Sequence, residues 1–253
     1  MIKGDYEVYA APADLVEEVR EIVGRHFSRS LGDHLSLSDE AFRAEVAVGQ
    51  ELVNGIGFAR RFVASRFEVL SRALASDSIA HQSNVYLRAA RPKSGIQEAI
   101  GLHRESFYGP QEVRHCWNIW VPIQGVTDQN GLTFIPGSTT IPTEAMELES
   151  ISERDSGVTR FSDGHKIGLL YSPKRIVSGI DRTAARVMQV GPLEFALFSG
   201  ELIHGNATNS GSEIRYSLDF RVIAAGNVTA NKAHFSSGGD YFVPYEPGPR
   251  PSA

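Results

Sequence analysis

The chain has 253 residues, of which 42% are hydrophobic and 22% charged, and a net charge of −5. That composition fits an ordinary globular core and gives no electrostatic reason to bind nucleic acid or an anionic membrane surface. Cys116 is the only cysteine, which excludes an internal disulfide and a zinc site built from several thiolates. No stretch approaches the roughly 20 apolar residues of a spanning helix. Met1 to Asp5 lead into no apolar run of the signal-peptide kind, so a cytoplasmic protein is expected. All-β barrels of about 200–250 residues are commonly single domains, and one domain over residues 1–253 is the expectation.

Residues 12 to 75 read as helical. Pro12-Ala13-Asp14 suits a helix start, and Leu15, Val16, Val19, Ile22, Val23 and then Phe27 recur at helical spacing. Leu35 to Ser38 reads as a loop with Ser38 capping the next helix. Phe62, Val63, Phe67, Leu70 and Leu74 form another apolar stripe between Ala59 and Leu74. These faces are expected to pack on a sheet, with residues 1–79 as mainly helical support.

After about residue 80 the pattern turns to strands. Asn84 to Arg88 and His115 to Val121 are rich in strand formers, with a loop over Arg91 to Gly95. Asn130-Gly131 is a hairpin signal, with Leu132 to Ile135 as the return strand. Residues 141–165 are polar and poorly periodic, and read as an inserted surface loop or a lid. Strands resume at Ala185 to Met188 and Leu193 to Phe198. In Arg215 to Val222 the even positions are apolar and the odd ones polar, so Arg215, Ser217, Asp219 and Arg221 share a face that can line a polar cavity. The core is expected over residues 80–223, and residues 224–253, Pro-rich from Pro244, carry no fold signal.

Two stretches carry chemistry. In Leu102-His103-Arg104-Glu105-Ser106, read as an extended strand, His103 and Glu105 project to one face and Arg104 to the other. His204, just past a strand in Ile203-His204-Gly205, supplies a second imidazole. Two histidines and a carboxylate on one side of a metal leave the opposite positions open, the ligand set of non-haem Fe(II) oxygenases. His81, His115 and His165 compete for the same role. Arg215 follows His204 by eleven residues, with Ser217 on the same face. A guanidinium fork and a hydroxyl suit the distal carboxylate of 2-oxoglutarate.

The chain at this point resembles the phytanoyl-CoA dioxygenase branch of the Fe(II)/2-oxoglutarate oxygenases. The resemblance lies in Leu102 to Glu105, in Trp120 to Ile123 leading to Asn130-Gly131 and Ile135-Pro136-Gly137-Ser138, and in Phe198 to Asn206 continuing to Arg215-Tyr216-Ser217. It implies a double-stranded β-helix, or cupin-like jelly roll, flanked by helices. It implies His103, Glu105 and His204 as Fe(II) ligands and Arg215 and Ser217 as the 2-oxoglutarate anchor. Trp120 matches a cofactor-pocket tryptophan, and Asn118 shares its face; a core aromatic and a satisfied strand amide are the competing readings. The family usually has Asp where this chain has Glu105, one methylene longer, and a carboxylate there argues against a halogenase. The implied activity is hydroxylation or oxidative ring closure of a small molecule with O2. The expected substrate is a sugar-containing secondary metabolite such as an antibiotic intermediate, as in the orthosomycin and aminoglycoside oxygenases. Tyr86, Arg88 and Tyr108 are possible substrate contacts. The alternatives are a non-catalytic cupin-like binding protein and a zinc hydrolase with the same three ligands.

Overall fold

The computed structural model describes residues 4–93, 101–107, 115–159, 162–169, 173–228 and 241–246. Strand β1 (Tyr6–Ala10) precedes four helices: α1 (Ala13–His26), α2 (Leu31–Ser36), α3 (Asp39–Gly55) and α4 (Phe58–Leu74). Pro12 stands at the N-cap of α1 as expected, and Ser38 accepts the Ala41 amide to cap α3. Part of the loop expected over Leu35 to Ser38 is helix instead. Ser30 caps α2 through the Asp33 amide, a signal hidden in a polar run. Gly57, with φ of 68°, lets the chain reverse between α3 and α4.

The apolar stripes bury where the spacing places them. Leu15, Val16, Val19, Val46, Phe58, Phe62 and Leu70 join Ile119, Val121, Phe195, Leu197, Leu218, Phe220 and Val222 in one core. The helices therefore cover one face of the main sheet. Phe62 is fully buried, with ring centroids 5.0 Å from Phe195 and 5.5 Å from Phe220, both edge-on.

The remaining strands are β2 (Ile79–Gln82), β3 (Tyr86–Ala90), β4 (Trp117–Gln124), β5 (Leu132–Phe134), β6 (Glu147–Ser150), β7 (Lys174–Ser178), β8 (Arg186–Val187), β9 (Glu194–Ser199), β10 (His204–Asn206), β11 (Arg215–Ala224) and β12 (Phe242–Tyr245). The main sheet runs β1-β9-β4-β11-β2-β12, with β3 also paired to β11, and a smaller sheet runs β10-β5-β8. Trp120, Ala196 and Phe198 of the main sheet pack with Leu132 and Phe134 of the smaller one and with Met188, just after β8. This is the jelly-roll core with flanking helices that the sequence implied. The period-2 reading of β11 holds: Tyr216, Leu218, Phe220 and Val222 enter the helix-side core. The odd residues take the inner face. Their partners in register are Arg88 for Ser217, Tyr86 and Trp120 for Asp219, and Asn118 for Arg221.

Several expectations need correction. Asn130-Gly131 does not close a hairpin, because β4 pairs with β11 and β9 whereas β5 pairs with β10 and β8. Neither residue has the positive φ of a type I′ turn. The Asn130 side chain instead accepts the Thr127 amide and donates to the carbonyl of Gly125 and the Oδ1 of Asn209, bracing a crossing from one sheet to the other. Residues 141–165 are not a plain loop. They hold β6, α5 (Glu153–Ser156) and part of α6 (Asp163–Lys166), and β6 pairs with β7. Met146 in that stretch, with Ile176 on β7, buries against Phe107, Ile135 and Ile203, too few apolar positions to show a period. The tail also carries a strand, β12, whose Pro244 is tolerated at the sheet edge. β1, β2 and β7 had no sequence forecast.

Phe62→Ala is expected to remove about 3–5 kcal/mol of stability, the usual cost of emptying a buried phenylalanine site. Urea unfolding followed by circular dichroism checks this; a loss under about 1 kcal/mol would show that the helices do not depend on that contact.

Candidate active site

His204 opens β10 opposite Phe134. His103 is not in the extended strand that the sequence suggested. It forms a single bridge with His204, donating its amide to the His204 carbonyl at 2.8 Å and accepting the His204 amide at 3.0 Å. The chain then turns into a 3₁₀ helix, Glu105–Phe107, with the Glu105 amide held by the Gly200 carbonyl at 2.9 Å. The turn, rather than strand alternation, brings Glu105 beside the two imidazoles. Arg104 leaves in another direction, fully buried, donating to the carbonyls of Ser138 and Ile141.

The ligating atoms of His103, Glu105 and His204 all lie within 4.8 Å of one another, and all three residues are buried. No other such cluster occurs among the described residues. Glu105 Oε1 is 3.6 Å from His204 Nε2. His103 Nδ1 lies 2.7 Å from the Gly101 carbonyl and His204 Nδ1 2.8 Å from that of Leu202. A carbonyl only accepts, so each Nδ1 carries the proton and each Nε2 keeps a lone pair for a metal.

The electrostatics prepare the same state. Burial, assisted by the neighbouring His204, holds the His103 pKa down at about 3. Burial lowers His204 as well. For Glu105, burial alone would raise the pKa, but the Arg221 guanidinium and then the two histidines bring it down to about 2. At neutral pH the site therefore offers two neutral imidazoles and one carboxylate.

The Ile135-Pro136-Gly137-Ser138 stretch explains itself at this point. Ser138 Oγ accepts the Ile203 amide at 2.8 Å, and the Ile135 amide donates to the Ile203 carbonyl at 2.9 Å. The residue before His204 is thus gripped on both sides. Phe198 packs edge-on against the His204 ring at 4.8 Å.

Arg215 begins β11, fully buried. Its Nη1 donates to the carbonyl of Asn130 at 2.6 Å and lies at 3.3 and 3.4 Å from those of Gly131 and Ala207. Gly125 is required beside it: a Cβ there would sit 2.3 Å from the Ile214 carbonyl oxygen. The other guanidinium nitrogens, Nε and Nη2, have no hydrogen-bond partner, nor do Ser217 Oγ, Trp120 Nε1 and Asn118 Nδ2. Each buried unmet donor costs about 1–3 kcal/mol, so their gathering on one inner wall indicates a polar ligand.

Residues 8–217 match the profile of the phytanoyl-CoA dioxygenase (PhyH) family. The chain belongs to the phytanoyl-CoA dioxygenase family. It is an Fe(II)- and 2-oxoglutarate-dependent dioxygenase, with O2 as its second substrate. No curated protein sequence matches the chain. Among solved structures it is similar to EvdO2 from Micromonospora carbonacea var. aurantiaca complexed with 2-oxoglutarate, with a TM-score of 0.58 at 12% identity over 88% of this chain and 87% of that one. It is also similar to the apo form of the non-haem monooxygenase ThoJ, with a TM-score of 0.55 at 15% identity over 87% of this chain and 74% of that one. These likenesses show a shared fold.

The residues of this PhyH-family chain fit the two groups. The imidazole–carboxylate cluster suits a divalent iron, and the unmet donors of Arg215 and Ser217 suit a carboxylate. The rival histidines do not join the cluster. His81 is paired in register with Val222, on the helix side, His115 is exposed, and His165 lies on α6. Arg88 forms a two-pronged ion pair with Asp219, at 2.6 and 3.3 Å, and its Cζ lies 4.8 Å from the Tyr86 ring centre. Tyr108 lies outside the described residues. The sequence places Arg221 on the polar face of β11 with Arg215, but names no partner for it. It donates to Glu105 Oε2 at 2.6 Å.

The low imidazole pKa predicts a pH dependence. His103 charges near 6.5 when unfolded but only near 3 when folded, so its contribution to stability is whole above pH 6.5 and is lost progressively as pH falls toward 3. Glu105 adds a second loss between 4.5 and about 2. Urea unfolding of the metal-free protein across this range should show stability falling from pH 6.5 downward, and His103→Gln should flatten the upper part of that fall. A wild-type curve that is level between 6.5 and 4.5 would contradict the burial of a neutral imidazole.

Proposed function

We propose that His103 Nε2, His204 Nε2 and Glu105 hold the Fe(II), and that Arg215 and Ser217 hold the distal carboxylate of 2-oxoglutarate. Trp120 and Asn118 line the same pocket. The observation that carries this reading is the set of buried, unpartnered donors at Arg215, Ser217, Trp120 and Asn118, on the inner face of the sheet that lies over the cluster. When bound, iron and 2-oxoglutarate together convert O2 into an oxidant of C–H bonds, with release of succinate and carbon dioxide.

The chain's own residues have three tasks. The Nδ1–carbonyl hydrogen bonds fix each ring so that its Nε2 faces the cluster. The three carbonyls around Arg215 Nη1 aim the rest of the fork inward. The apolar wall of Phe198, Leu202 and Trp120 excludes water from the side facing the smaller sheet. A zinc hydrolase has no use for the inward fork of Arg215, and the three-ligand cluster beside that fork speaks against a binding cupin that has lost turnover.

We infer that the reaction is hydroxylation or oxidative ring closure of a polar, sugar-containing small molecule, such as an antibiotic intermediate. Support comes from Tyr86, Arg88 and Asp219 on the inner face beyond Ser217, groups able to bind hydroxyls. The His-x-Glu pattern and chain size suit the same group of oxygenases. We also propose that residues 1–253 act as one oxygenase domain in the cytoplasm. Helices and sheet share one core, Cys116 is buried and unbridged, and no described helix is long and apolar enough to cross a membrane.

His103→Ala and His204→Ala should each abolish 2-oxoglutarate-dependent succinate formation and the binding of Fe(II) measured by anaerobic titration. Near-normal binding in either variant would remove that histidine from the site. Arg215→Ala should raise the 2-oxoglutarate concentration for half-saturation by about tenfold or more, since a charge-assisted pair contributes about 1.5–3 kcal/mol. An unchanged half-saturation would show that the carboxylate is held elsewhere.

A further inference from the structure

We propose that Arg221 is a positioning residue that makes Glu105 coordinate through one oxygen only. The inference rests on the assignment of Glu105 as a ligand and extends it to how that ligand is presented. Arg221 lies on the inner face of β11 with 7% exposure. Its Nη2 donates to Glu105 Oε2 at 2.6 Å. Its Nη1 donates to Gln82 Oε1 at 2.8 Å and to the Tyr241 hydroxyl at 3.0 Å. Its Cζ lies 5.8 Å from the Tyr86 ring centre. The guanidinium is thus clamped by β2, by Tyr241 beside β12 and by the ring on β3. With Oε2 taken, Oε1 is the oxygen that faces His204 Nε2, at 3.6 Å.

The clamp answers the problem posed by the longer side chain. Glu has one more torsion than the family's usual Asp, and an untethered Glu can swing until both oxygens chelate a cation. When bound, 2-oxoglutarate and O2 would need the positions that the three protein ligands leave open. A chelating Glu105 would fill one of the positions that the three-ligand arrangement leaves open. A planar fork fixed on three sides holds the second oxygen back, which a flexible ammonium would do less well. Arg221 also balances the carboxylate's charge in the buried site.

The test is infrared difference spectroscopy of the full chain, Zn(II)-bound minus metal-free, with ¹³C-glutamate labelling to mark the carboxylate bands. The readout is the separation between the antisymmetric and symmetric stretches of the metal-perturbed carboxylate. One-oxygen coordination widens it relative to a free carboxylate, and chelation narrows it. Wild type should show the wide separation, Arg221→Gln the narrow one, and Arg221→Lys an intermediate or wide one. Turnover should fall roughly 10- to 100-fold in Arg221→Gln, as for other partners of ligating groups, and be partly restored by Lys. A narrow separation in wild type overturns the proposal whether or not the variants fold, and so does a wide one in a folded Arg221→Gln. His103→Ala separates the two levels of the argument. If it binds Zn(II) like wild type, the ligand assignment itself is wrong. If it loses binding while the carboxylate bands ignore Arg221, only the positioning role is wrong.

Discussion

Two backbone hydrogen bonds between His103 and His204 are the constraint on which the site depends. They join a loop that precedes β4 to the first residue of β10, a separation of about a hundred positions in sequence. Once they form, the imidazoles are neighbours, with ring centres 4.5 Å apart, and the next turn brings in Glu105. The scaffold beneath is rigid for ordinary reasons. β10 is paired with β5, and Ser138 and Ile135 hold Ile203 from both sides. The 3₁₀ turn at Glu105 is pinned by Gly200, next to the end of β9. Ligands on short, tethered segments of this kind lose little freedom when a metal binds.

The inner wall is a different sort of solution. Arg215, Arg221, Arg88 and Glu105, with the half-buried Asp219, form a polar surface in the middle of an otherwise apolar sandwich. Charges out of water are costly unless paired, and here the pairing is deliberately incomplete. Arg88 is matched by Asp219 and Arg221 by Glu105. Arg215 has no carboxylate partner; one of its nitrogens is held by backbone carbonyls and two donors are left open. Burial, with Arg88 nearby, lowers its pKa to about 10, still well above neutrality. A fixed, unpaired positive charge in such a wall is a standing preference for an anionic ligand.

Much of this was legible in the sequence because it followed a period. The alternation of Arg215 to Val222 gave the strand, its two faces and the residues of the inner wall. The 3.6-residue stripes gave α1 and α4, and the hydroxyl residue ahead of Ala41-Phe42 gave the cap at Ser38. What escaped was set by tertiary contacts. Asn130-Gly131 has the letters of a hairpin, yet its side chain bonds to Gly125 and Asn209 and the chain crosses between sheets. Leu102 to Ser106 turns after one bridge because Gly200 captures the Glu105 amide, which no local pattern announces. β6 buries so few residues that residues 141–165 read as an inserted surface loop or a lid. Arg221 was visible as a polar position on β11, but its partner, 116 residues away, was not.

The most direct test of the account is the location of the metal itself. Crystals grown anaerobically with Fe(II) and 2-oxoglutarate, and measured at the iron absorption edge, would place it by anomalous scattering. The account predicts one peak at bonding distance from His103 Nε2, His204 Nε2 and a single oxygen of Glu105, with the 2-oxoglutarate tail against Arg215. A peak elsewhere, or one with any of the three side chains turned away, would contradict it.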